Sequence, residues 1–159
     1  MSIRMILAAC ALTASATAAS AQTTVYLGAG ADYGYPHSGD EQAFGSLIAG
    51  ATFDLWENMG LGIEGEVGEP IGDGGDGRET SRVRGLFTYD FGDVTGIASL
   101  GVVQYELGDE TFDGETFGIG AQMGVTDRLD GRFEIMRDFA GDDYGTNVTT
   151  SRISLLFNF

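Results

Sequence analysis

The sequence predicts an all-β protein, an eight-stranded antiparallel up-and-down transmembrane β-barrel. Three observations carry that expectation: eight segments that alternate with period two, connections that are alternately short and long, and a final segment that reads as an apolar strand. Residues Thr149 to Phe159 show the pattern most plainly. Side chains alternate across a strand, so Ser151, Ile153, Leu155, Phe157 and Phe159 share one face. Arg152, Ser154 and Asn158 share the other, with Leu156 its apolar exception. A strand that closes a barrel in lipid needs that combination, apolar outside and polar inside.

The first residues set the compartment. Arg4 supplies a positive start, Met5 to Leu12 an apolar run, and Ala19-Ser20-Ala21 a small-residue cleavage site before Gln22, so residues 1–21 read as a secretory signal. The apolar run is far short of the roughly 20 residues a spanning helix needs. Leu7-Ala8-Ala9-Cys10 also fits a lipoprotein box, but cutting there leaves almost no apolar region. Cleavage after Ala21 removes the single cysteine and with it any disulfide.

Residues 22–159 are one domain's worth of chain. With Arg4 gone, seven Arg face 24 acidic residues, a net charge of −17 with no Lys at all. Such acidity excludes nucleic acid as a partner, since phosphates need cations. Disorder is the usual outcome of that charge, but aromatic residues and glycines are too abundant and too regularly placed.

Odd-numbered residues form the apolar set in seven segments: Val25–Tyr35, Ala43–Leu55, Gly60–Gly68, Arg82–Phe91, Thr116–Val125, Gly131–Phe139 and the closing one. The fifth of the eight, Ile97–Leu107, is apolar on both faces through Ala98, Leu100 and Val102. Only Gln104 and Glu106 assign its even positions to the inside. A one-residue slip turns every side chain to the wrong face, so a shared parity is what one continuous meander requires. Short turns are expected at Trp56–Met59, Gly92–Thr95 and Thr126–Asp130. Longer polar loops are expected at Pro36–Gln42, Glu69–Ser81, Gly108–Glu115 and Ala140–Val148. Short turns at one rim and long loops at the other are the arrangement of outer-membrane barrels.

With these features the chain resembles the small eight-stranded outer-membrane barrels of Gram-negative bacteria, such as the OmpA membrane domain, OmpX and the opacity proteins. The resemblance implies localisation in the bacterial outer membrane after export through the periplasm, with lipid and lipopolysaccharide as surroundings. It also implies that Ile153, Leu155, Phe157 and Phe159 form the signal read by the barrel-assembly machinery. No peptidoglycan-binding domain follows, so a bare barrel is expected.

The inward face then holds Glu64, Glu66, Arg82, Arg84, Glu106, Arg132, Glu134, Asp138 and Arg152, with Asp32, Asp54, Asp90 and Gln104. Buried charges must be paired. Hairpin arithmetic sets Glu66 near Arg84, Arg84 near Gln104 and Arg82 near Glu106. It sets Arg152 opposite Met136, with Glu134 and Asp138 on its diagonals. A conduit for small solutes is one reading. A filled lumen is favoured, because eight strands leave room only for side chains and Arg–carboxylate forks fill it well.

Outside that face little points to chemistry. Gly72–Gly77 invites a calcium reading but lacks a recurring pattern, and a solvated loop explains it better. The other long loops are acidic, suited to diffuse divalent-cation binding. Arg137 falls on the outward face near the long-loop rim and could meet a lipopolysaccharide phosphate. His37, the one histidine, lies among Ser38, Asp40 and Glu41 in a polar loop, too little for a triad. No enzyme activity, cofactor or metal site is expected. The function read from the sequence is largely structural, a barrel presenting acidic loops. Loop-mediated adhesion or a narrow porin is an alternative. A soluble periplasmic lipocalin-like barrel, with Tyr33, Phe53, Phe87, Phe117 and Phe133 lining a ligand pocket, is another.

Overall fold

The computed structural model describes residues 23–36, 41–71, 79–108, 110–140 and 147–159. The signal segment with Ala19 and Ala21, His37 and the Gly72–Gly77 tract lie outside the described residues.

Alternation at period two becomes eight strands: β1 (Thr23–Pro36), β2 (Gln42–Trp56), β3 (Met59–Pro70), β4 (Glu79–Asp90), β5 (Thr95–Leu107), β6 (Glu110–Thr126), β7 (Leu129–Ala140) and β8 (Val148–Asn158). Each pairs antiparallel with the next, and β8 pairs with β1, so the sheet closes as a barrel without a free edge. Following the register around the barrel leads from Tyr26 through Gly50, Glu64, Arg84, Gly101, Thr116, Asp138 and Val148 back to Pro36. The circuit therefore returns ten residues further along β1. That stagger over eight strands tilts them by about 40° and leaves a lumen that side chains can fill.

Polarity is inside out relative to a soluble barrel. Leu47, Leu100, Ile119, Phe133, Ile153 and Leu155 all stand exposed on the outer surface, an apolar band far too large for a soluble monomer. Aromatic pairs mark its two borders: Tyr33–Tyr35 toward the long loops, with Tyr89–Phe91 and Phe157–Phe159 toward the short turns. Amphipathic rings favour both edges of a bilayer. The lipocalin-like alternative is overturned, because Tyr33, Phe87, Phe117 and Phe133 face outward while Arg and Glu fill the inside.

Two expectations are corrected. The fifth segment faces the other way: Ile97, Ser99, Val103 and Tyr105 are buried inside, while Leu100 and Val102 are exposed. Opposed residues share a face, and the register sets Arg82 against Val103 and Arg84 against Gly101, so the odd set of β5 points inward. Gln104 and Glu106 misled because they lie beyond the apolar band, where an outward polar residue costs nothing. The second correction concerns Gly108–Glu115. It is not a long loop, because β5 and β6 pair as far as Leu107 and Glu110 and leave only Gly108 and Asp109 between them. Gln104 Nε2 donates to Asp113 Oδ1 at 2.8 Å, and Phe112 packs on a cluster of Val103, Tyr105 and Val148. The polar run is a strand that continues past the apolar band. Gly108, with φ +60°, and Gly92, with φ +102°, supply the left-handed backbone of the turns at either end of β5.

Gly101 shows how closely the strands approach: a Cβ there would lie 2.7 Å from Arg84 Cα and 2.9 Å from the carbonyl carbon of Val83, both immobile backbone. Gly101→Ala is expected to cost about 1–3 kcal/mol through overpacking, read as a lower urea midpoint of the folded barrel in micelles. An unchanged midpoint would show that β4 and β5 have room to part.

Candidate functional site: the charged barrel interior

Five strands send ionised groups into the lumen, and nearly every one is fully buried. Arg152 of β8 forks onto Asp32 of β1, its Nε donating to Oδ1 at 2.6 Å and its Nη2 to Oδ2 at 2.5 Å. The same guanidinium donates across the lumen to both oxygens of Glu66, at 2.7 Å to Oε1. Arg82 donates to Glu66 Oε1 and Asp138 Oδ2, both at 2.6 Å, and the Tyr105 hydroxyl donates to Asp138 as well. Nearer the short turns, Arg84 donates to Glu64 and, at 2.9 Å, to Glu134, with Ser99 Oγ 3.2 Å away. Arg132 closes this group by donating to Glu64 Oε2 at 2.5 Å and to Gln122 Oε1 at 2.9 Å. Tyr26 gives its hydroxyl proton to Glu64 at 2.7 Å.

Four guanidiniums therefore hold five carboxylates, and two phenols supply further donors. Burying an isolated charge is costly, so each member stands only because its partners are in place. The forked geometry of Arg suits this better than Lys. Apolar layers cap the ionic one. Tyr26, Ile48, Leu86, Ile97 and Leu156 form the layer toward the short turns, and the Val103, Tyr105 and Val148 cluster lies toward the long loops.

Of the nine interior residues expected from the sequence, eight lie in this network. Glu106 does not: it sits on the outer face of β5 opposite Glu79 and Thr111, a consequence of the reversed parity. The pairings also shift by one rung. Glu66 stands opposite Arg82, and Glu64 opposite Arg84. Arg152 stands opposite Glu134, with Met136 opposite Thr150, yet it bonds Asp32 and Glu66 instead. Loop midpoints guessed from composition move the register by two residues between β3 and β4 and between β7 and β8, and by three between β4 and β5, where Arg84 stands opposite Gly101 and Arg82 opposite Val103 instead of Gln104 and Glu106. Tyr26, Tyr105, Ser99 and Gln122 are additional members. Tyr26 and Gln122 were legible as inward polar residues; Tyr105 and Ser99 were hidden by the parity of β5. Arg137 does face outward, and its Nη1 donates to Thr149 Oγ1 at 2.8 Å. Among the described residues no group of three or more His, Cys, Asp and Glu is placed to hold a metal ion, and no helix is long and apolar enough to cross a membrane.

Among solved structures, the attachment invasion locus protein Ail of Yersinia pestis superposes with a TM-score of 0.63 at 9% identity, over 86% of this chain and 97% of Ail. The chain has the fold of the small outer-membrane barrels. Neisserial surface protein A gives a TM-score of 0.60 at 12% identity, over 89% of this chain and 100% of its own. The N-terminal barrel domain of Pseudomonas aeruginosa OprF gives 0.59 at 10% identity, over 87% and 100%. A de novo designed transmembrane barrel gives 0.51 at 16% identity, over 84% and 95%. No protein-family model matches the chain, and no curated protein matches it in sequence. A fold shared by natural outer-membrane proteins and designed barrels carries no activity with it.

Proposed function

We propose that this protein is an integral barrel of the bacterial outer membrane with a largely structural role, reached by export and removal of residues 1–21. One observation supports the reading above the rest: an apolar exterior bounded by aromatic residues surrounds a lumen closed by buried ion pairs. The exterior requires lipid, and the interior leaves no open path for solutes. Ile153, Leu155 and Phe157 on the outer face of β8, and Phe159 directly after it, all stand exposed, accessible to the assembly machinery before closure. Arg137, outward and braced by Thr149, is placed to meet a lipid phosphate.

Expression with the signal intact is expected to give a membrane-bound product whose gel mobility shifts on heating. Planar-bilayer recording of that product is expected to show no steady conductance. A soluble product without a heat shift refutes the membrane reading, and a steady open channel refutes the closed lumen.

A second reading, binding through the loops, has one specific support. The β5–β6 ribbon stands beyond the membrane as an ordered acidic hairpin carrying Glu106, Glu110, Asp113 and Glu115. Ail has been solved with the heparin analogue sucrose octasulfate; here an acidic ribbon favours a cationic partner over a sulfated one.

A further inference from the structure

An arginine is the least expected residue on a lipid-facing sheet surface. Of the described arginines, Arg82, Arg84, Arg132 and Arg152 are buried in the lumen, and Arg128 lies in the turn between β6 and β7. Among the described residues, Arg137 is the one arginine on the outer face of a strand, near the long-loop end of β7. Its neighbours on that face fix its depth. Ile135 and Phe139 flank it along β7, 43% and 49% exposed, and Phe117 stands opposite on β6, exposed as well. A cation beyond the membrane would sit among polar residues, whereas three sides of this one are apolar band. On the fourth side is Thr149 of β8, and Tyr35 of β1 stands opposite Thr149 in turn. Tyr35 belongs to the aromatic pair that marks the long-loop border of the band. Arg137 is therefore level with that border, where headgroups meet acyl chains.

Arg137 Nη1 donates to Thr149 Oγ1 at 2.8 Å, and among the described residues the guanidinium has no other hydrogen-bond partner and no ion pair. That bond uses one of a guanidinium's five donors and leaves the threonine proton free to donate. Glu115 lies on a diagonal, opposite Phe139, without pairing to it. A guanidinium facing lipid without a counter-ion calls for an acceptor that the membrane itself brings. Headgroup phosphates are the anions found at that depth.

We propose that Arg137, Thr149 and Tyr35 form a single site for one lipid that carries a phosphate monoester. The guanidinium fork takes two phosphate oxygens, and the hydroxyls of Thr149 and Tyr35 take the third. The acyl chains lie over Ile135, Ile153 and Leu155, all exposed on the same side of the barrel. A monoester suits these donors better than a diester, because it offers three unsubstituted oxygens. The acidic surroundings make the site singular, since a phosphate elsewhere along this rim meets carboxylates instead of a cation. The proposal rests on the outer-membrane reading and adds a defined lipid partner to it.

The test uses the full chain expressed with its signal, purified in micelles and shown to be heat-modifiable. Native mass spectrometry with added phosphatidic acid, a monoester lipid, is expected to show one lipid retained per barrel. Phosphatidylcholine, a diester beside a cation, is expected to be retained about tenfold less or worse, as loss of a charged hydrogen bond requires. Arg137→Gln is expected to weaken retention of phosphatidic acid by a similar factor and to leave heat modifiability unchanged, because Arg137 supports nothing in the lumen. Arg128→Gln removes the same charge at the opposite rim and is expected to change nothing. Equal losses in the two variants overturn the proposal by showing attraction to charge alone. Displacement of the lipid by inorganic phosphate overturns it by showing a site for the free anion. Undiminished retention by folded Arg137→Gln overturns it outright and leaves the outer-membrane reading untouched. A product without heat modifiability removes that reading, and the proposal falls with it.

Discussion

Arg152→Met is expected to cost about 3–5 kcal/mol of barrel stability, the range for removing one partner of a buried charge pair. The methionine fills similar space, so the loss comes from charge and not from a cavity. Asp32 loses a two-toothed fork, and Glu66 loses two of its donors. Both carboxylates then stand buried with too few donors, in a lumen that already holds one more acid than base. Urea titration in micelles, scored by the heat-shifted band, reads the change. Adding Asp32→Asn and Glu66→Gln to Arg152→Met is expected to restore much of the stability, because neutral amides tolerate the missing guanidinium. A loss below about 1 kcal/mol, as for an exposed pair, would show that water reaches the lumen and screens it.

Leu100→Arg is the second large effect, expected at about 2–4 kcal/mol for a cation at the middle of the lipid face. Leu100 is 68% exposed on the outer surface of β5. Gln104→Arg, two rungs nearer the long-loop rim on the same face, is expected to cost at most about 1 kcal/mol, as near an interface. The contrast measures depth and orientation together. Were the even residues of β5 turned inward, Leu100→Arg would meet the carboxylates of the lumen and the order of the two variants would reverse.

That contrast turns on the one strand whose sequence was misleading. In the other seven, lipid imposes alternation strictly enough for faces and strand count to be read directly from residues. Phe117, Ile119, Ala121, Met123 and Val125 of β6 against Gly118, Gly120 and Gln122 leave no ambiguity. In β5 the lumen-facing side is itself apolar, with Ile97 and Val103 in the layers that cap the ions, so both faces look alike. The only polar markers, Gln104 and Glu106, report on solvent beyond the bilayer. Composition also misjudged Gly108–Glu115, because a ribbon rising into water has no lipid face to reveal its strands. Membership of the ionic layer was legible for Glu64, Glu66, Arg82, Arg84, Arg132, Glu134, Asp138 and Arg152, since parity alone decides it. Partnership was not, because it depends on where each hairpin turns to within one residue and on side chains long enough to cross the lumen. Arg152 reaches Glu66 two strands beyond Asp32, a contact that pairwise hairpin reasoning cannot generate.

The closure of the sheet through β1 and β8 has a kinetic consequence. Leu27 pairs with Phe157 and Tyr26 with Asn158, contacts that join the two ends of the chain. Every other strand can find its neighbour locally, but this last seam must await the whole polypeptide and bear the entropy of its longest loop. Until then β1 and β8 each present an unpaired edge beside an apolar surface. An intermediate of that kind is prone to aggregation wherever water surrounds it. Final zippering and lipid insertion are therefore expected to be a single concerted step, slow in free solution and hastened by anything that holds the two terminal strands side by side at a bilayer.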